Sequence, residues 1–123
     1  MQLNEEEFDA VIEEAIEELP EQFRGSLEHV LIDVMDVPDR EMARDAGADR
    51  YGLLGLYRGV PLMEQSVQHP VSMPARIILF KKNIERVCQT REEVVEQIRV
   101  TLLHEIGHHF GFDEEDLDEL GYG

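Results

Sequence analysis

Phe8, Val11, Ile12, Ala15, Ile16 and Leu19 recur at spacings of three and four, and the positions between them are mostly acidic. That period gathers the apolar residues on one face of an amphipathic helix, started by Asn4 as N-cap and stopped by Pro20. The pattern then changes. His29–Met35 is a run of branched residues and reads as a buried strand. Asp36 to Gly52 carries Pro38, Gly47 and mixed charges without a period, which predicts a loop long enough to matter near a site. Leu53–Val60 reads as a second strand, with Gly55 and Gly59 where a bulge or a close backbone approach fits. Pro61 to Pro74 is a second loop, and Arg76–Phe80 a third strand. Thr90-Arg91-Glu92-Glu93 is a capping box. Val94, Val95, Ile98, Leu102 and Ile106 supply the buried face of the helix it opens, which runs from about Arg91 to Phe110. Gly111 suits a left-handed C-cap, and Asp113 caps a short final helix through Leu120. The order helix, three strands, helix defines a single α+β domain over residues 1–123, its small mixed sheet packed with an N-terminal helix and a second long helix.

That second helix carries the chemistry. It contains His104-Glu105-Ile106-Gly107-His108, and residues four apart on a helix stand one above the other on one face. His104 and His108 can therefore offer two imidazole nitrogens to one zinc ion. Glu105 lies about 100° round the helix from His104. From there its carboxylate reaches a water bound to the metal, which ionises near pH ~7. Two ligands, a base and an acidified water are the working parts of a zinc hydrolase of the metalloprotease type. His109 points about 100° away from His108 and is assigned to packing or surface. His29 and His69 have no partner at ligand spacing.

Composition narrows the choice. A chain of 123 residues, 42% hydrophobic, fits one core and leaves no room for a separate substrate domain. Its first residues show neither a basic n-region nor an apolar h-region, so no secretory signal is expected. No apolar run approaches the ~18 residues of a membrane span. The single cysteine, Cys88, excludes an intramolecular disulfide and fits a reducing compartment, so the expected address is cytoplasmic. A net charge of -17 repels phosphate backbones, which argues against nucleic acid or an anionic membrane as partner. Read blandly, this charge keeps the surface solvated; read sharply, it draws in a divalent cation or a basic peptide.

Catalytic zinc usually has three protein ligands. The extended motif is H-E-x-x-H-x-x-G-x-x-E, and Glu114 stands where the metzincin pattern places its third ligand. Gly111 permits the reversal that brings the chain back toward the metal. Asp113, Glu115 and Asp118 are alternatives for the same role. Leu53-Leu54-Gly55-Leu56-Tyr57-x-Gly59-Val60-Pro61-Leu62, Asn83-Ile84-Glu85-Arg86 and the histidine motif through Gly111 together resemble the small bacterial zincin-like metallopeptidases. The resemblance covers nearly all of the chain beyond Leu31. It implies a minimal zincin fold, a zinc ion and peptidase chemistry. The family usually has aspartate where this chain has Glu114, so a longer side chain must fit the same coordination. No methionine follows His108, so the Met-turn of larger metzincins is absent; Met63 and Met73 are the candidates to floor the site from another direction, and both are assigned to core or loop. Tyr57 and Tyr122 are the hydroxyls available to a tetrahedral intermediate.

The expected activity is hydrolysis of peptide bonds by a zinc-activated water, with His104, His108 and Glu114 on the metal and Glu105 as general base. The substrate is a peptide or protein, basic if charge selects it, and nothing in the pattern indicates an oligomeric state. Two rivals remain. Small metal-dependent ribonucleases also use two histidines four apart, but they commonly lack a counterpart to Glu105 and need a basic surface. A non-catalytic, zinc-stabilised acidic module would bind a basic protein through its first helix, and a closed four-ligand site would mark it.

Overall fold

In the computed structural model residues 1–59 and 75–109 are described, the side chains of Ser26, His108 and His109 excepted. The chain forms five helices and a three-stranded mixed sheet among these residues, an α+β domain as its pattern predicts.

Helix α1 spans Glu5–Glu17. Asn4 caps it: its side chain accepts from the Glu7 backbone N–H at 2.8 Å, and the Glu7 carboxylate accepts from the Asn4 N–H at 3.1 Å. Two orphan donors are thereby satisfied, and the acidic first turn complements the helix dipole. Phe8, Val11, Ile12 and Ala15 are buried, as the period requires. Pro20 does more than end a helix. It is the N-cap residue of α2, Glu21–Ser26, a short helix that periodicity did not reveal. A 3-10 turn, Leu27–His29, then leads into strand β1, Val30–Met35.

The stretch from Asp36 to Gly52 is not a plain loop. It contains α3, Arg40–Ala46. The Asp39 side chain accepts from the Met42 N–H at 2.8 Å, and Gly47 closes the helix in the left-handed region at φ 65°. Only Ala43 among its residues is buried, so no apolar stripe advertised it. Strand β2 is shorter than expected, Gly55–Arg58. Strand β3 is Ala75–Phe80, and helix α4, Lys81–Val87, follows it without a break. Nothing in the apolar pattern separates the two, because the buried face of α4 is largely polar: Asn83 and Glu85 beside Ile84.

The sheet order is β1-β3-β2, with β1 parallel and β2 antiparallel to β3. Ile77 and Leu79 point from the central strand into the main core. On the opposite face Arg76 pairs with Asp33 at 2.9 Å across the parallel ladder, both half-exposed. Helix α5, Arg91–His109, lies against the inner face and touches α1, α2, α4, β2 and β3. Its start differs in detail from a simple capping box. The Thr90 hydroxyl accepts from the Glu93 N–H at 3.1 Å, but the Glu93 carboxylate reaches back to the Gln89 N–H at 2.6 Å. Val94, Ile98, Leu102, Leu103 and Ile106 are all 1% exposed or less. Burial of such side chains stabilises by about 1.5–3 kcal/mol each. Thr101 and Leu103 join the expected buried face, so α5 is the central element of the core rather than a one-sided surface helix.

Candidate active site

The last two turns of α5 carry the motif. Leu103 and Ile106, at 0% and 1% exposure, anchor this part of the helix, while His104 and Glu105 between them are only partly buried. The helical backbone continues through His109, so positions 104 and 108 are one turn apart, a rise of about 6 Å along the axis. This is the spacing at which two imidazoles meet one ion. The His108 side chain lies outside the described residues, as do Glu114, its alternatives Asp113, Glu115 and Asp118, and Gly111. The final helix placed at Asp113–Leu120, the loop Pro61–Pro74, His69, Met63, Met73 and Tyr122 also lie outside. Among the described residues no three His, Cys, Asp or Glu side chains converge as a metal site. The donor set on α5 nonetheless fits zinc: two nitrogen ligands at helical spacing, on a helix fixed by a buried core, leaving positions for a third ligand and water.

Strand β2 lies beside this helix. Gly55 is buried and pairs with Leu79, while Tyr57 pairs with Ile77 and packs against the core cluster. Burial pushes the Tyr57 phenol above its ordinary value, so it keeps its proton and remains a donor at neutral pH. β2 pairs only with β3 among the described strands. It is the edge nearest α5, whereas β1 forms the other edge.

The other sequence candidates separate cleanly. His29 ends the 3-10 turn and is exposed. Cys88 is a buried free thiol. Its pKa is raised by burial and then by the Glu93 carboxylate, which favours the protonated thiol over the nucleophilic thiolate. An open groove on the outer sheet face, lined by Asp39, Met42, Arg58, Arg76 and Ile78 among others, lies on the side of the sheet away from α5.

Asn83 is the residue that periodicity did not single out. Its side chain is fully buried, and Nδ2 donates to the Arg50 carbonyl at 2.9 Å and the Leu53 carbonyl at 2.7 Å. Arg86 donates to the Tyr51 carbonyl at 3.3 Å and lies over the Tyr51 ring, 5.0 Å from its centroid. Glu85, also buried, accepts from the Leu3 N–H at 2.7 Å and from Lys81 at 3.0 Å. The Asn83–Arg86 stretch thus holds the segment leading into β2 and the segment leading into α1. These are structural duties, and no apolar period announces them.

The chain matches the family model of zincin-like metallopeptidases over residues 27–123, from the 3-10 turn onward, and it belongs to that family. No curated protein matches it. Helices α1 and α2 lie ahead of the matched region. Among the described residues no helix is long and apolar enough to cross a membrane.

Proposed function

We propose that this protein is a zinc-dependent peptidase that hydrolyses peptide bonds with an activated water. The observation that carries the reading is the histidine pair, His104 and His108, one turn apart on α5 with Glu105 between them, in a chain of the zincin-like metallopeptidase family. His104, His108 and Glu114 would hold the ion. A zinc ion held there supplies Lewis acidity, which acidifies water and polarises a carbonyl oxygen. Glu105 accepts the proton of the attacking water and delivers it to the leaving amine, so one carboxylate serves as base and then as acid. The edge of β2 that has no partner among the described strands would align an extended peptide by main-chain hydrogen bonds beside α5. The net charge of -17 favours basic peptides and disfavours nucleic acid and anionic membranes as partners. The single free thiol suits a reducing compartment, and we place the protein in the cytoplasm on that ground.

The acidity also motivates a second reading, a zinc-stabilised module that binds a basic protein without cleaving it. One experiment separates the two. The wild-type protein should carry one zinc per chain by elemental analysis and cleave members of a peptide library. Glu105→Gln should keep the zinc and lose hydrolysis, because it removes the base while preserving size. His104→Ala should lose the metal. Zinc retention by wild type and Glu105→Gln, with no peptide cut by either, would favour the binding module. Wild-type turnover by Glu105→Gln would sink the assignment of the base.

A further inference from the structure

Gly55 opens β2 with no room for a side chain. A Cβ built there would lie 2.5 Å from Thr101 Cγ2, 3.4 Å from the Ile78 carbonyl oxygen and 3.7 Å from Leu79 Cδ2. The Thr101 methyl has little freedom to retreat. The residue is 8% exposed, its β-branch restricts χ1, and its hydroxyl donates to the Gln97 carbonyl at 2.8 Å. Backbone contacts hold the other side. The Leu54 carbonyl accepts from the Phe80 N–H at 3.0 Å, and Asn83 binds the carbonyls of Arg50 and Leu53 just upstream. The start of β2 is therefore clamped between β3, α4 and α5. Thr101 precedes Glu105 by four residues, so the two share one stripe of α5. Gly55 rests on that stripe one turn before the proposed base.

We infer that Gly55 and Thr101 are positioning residues for peptide hydrolysis: their contact sets the height of β2 above α5, and with it the distance between Glu105 and the scissile bond of a peptide extended along β2. This rests on the peptidase reading above. A methyl group at Gly55 must displace the strand or the threonine by about 1 Å to reach ordinary contact distance. Misplacement on that scale lowers turnover by about 100-fold.

The test is a set of variants in which stability, zinc content, kcat and KM are measured on the same preparations, with kinetics taken well below each melting temperature. Gly55→Ala is expected to keep full zinc and to lose about 100-fold in kcat, the loss falling on kcat rather than KM. Thr101→Ser deletes Cγ2, the atom nearest Gly55, and keeps the hydroxyl, so alone it should loosen the seat and lower kcat about 10-fold with full zinc. In Gly55→Ala/Thr101→Ser it should restore most of the lost kcat. A Gly55→Ala protein that melts earlier but turns over like the wild type would make the contact purely structural and overturn the inference. A loss confined to KM, or a double variant without rescue, would overturn it too. Should Gly55→Ala not fold, Thr101→Ala loosens the same seat by deleting atoms only. It should lower kcat about 10-fold with full zinc, and an unchanged kcat overturns the inference. A wild-type protein that binds zinc and cleaves no peptide removes the peptidase reading and this inference together. Wild-type cleavage with unchanged kcat in the variants removes the inference alone.

Discussion

Glu105 and the two histidines need only a helix to come together, and a helix is what the residues around them specify most strongly. Val94, Val95, Ile98, Leu102 and Ile106 fall at helical spacing and all are buried. The motif was therefore placed by local rules alone. The proposed third ligand is different, because a residue that would return to the metal after a reversal is set by the path of the chain rather than by periodicity. Glu114 stands at the metzincin spacing, with one more methylene than the usual aspartate. Glu114→Ala should weaken zinc binding by an amount comparable with loss of a histidine, and Glu114→Asp should be tolerated better. Competition with a chelator, run beside Asp113→Ala, Glu115→Ala and Asp118→Ala, decides the matter. If a neighbour fails while Glu114→Ala binds normally, the ligand is that neighbour.

Elements with an apolar stripe or a branched run were legible; elements held by polar contacts were not. α1, the three strands and α5 were all foreseen, with ends moved by a few residues. α2, α3 and α4 were missed for separate reasons. α2 and α3 are too short to show a period, although Asp39 and Gly47 mark both ends of α3. α4 hides behind β3 and buries an amide and a carboxylate. Its importance is testable through Asn83. Replacing Asn83 by alanine takes this donor from the part-buried Arg50 and Leu53 carbonyls. Two such losses should cost about 2–4 kcal/mol, read as a shift of the urea midpoint with an unchanged slope. Asn83→Asp should be worse, since it sets a negative acceptor against two carbonyl oxygens. A midpoint within error of wild type for Asn83→Ala would show that the clamp contributes nothing.

At the scale of the whole molecule, burial leaves a signature in alkaline solution. Cys88 and Tyr57 both have folded-state pKa values raised by burial. The unfolded chain therefore gives up these protons first, near the ordinary values of about 8.5 and 10. Their contribution is fully present below those values and is lost as pH rises through the folded ones. Stability should decline from about pH 8.5 upward, and Cys88→Ala should flatten the first part of that decline once its own baseline shift is subtracted. A pH series of urea midpoints reads this directly, and an alkaline slope identical in Cys88→Ala would refute the assignment. The mixed sheet, by contrast, was legible only as a class. Its order β1-β3-β2 pairs β1 with β3 rather than with the next strand, and apolar runs do not encode which neighbours pair.

The central place of α5 has a further consequence for how the protein comes into being. α1, α2, α4, β2 and β3 all pack on α5, and all precede it in the chain. A ribosome delivers them first, with the apolar faces of α1, β2 and β3 lacking the helix that covers them. During that interval the nascent chain is a client for chaperones and is exposed to aggregation. It also lacks His104, Glu105 and His108. The nineteen residues of α5 bring six core residues, Val94, Val95, Ile98, Leu102, Leu103 and Ile106, together with these three. On the peptidase reading, an unfinished chain has no hydrolytic apparatus to turn on its neighbours while they are unfolded.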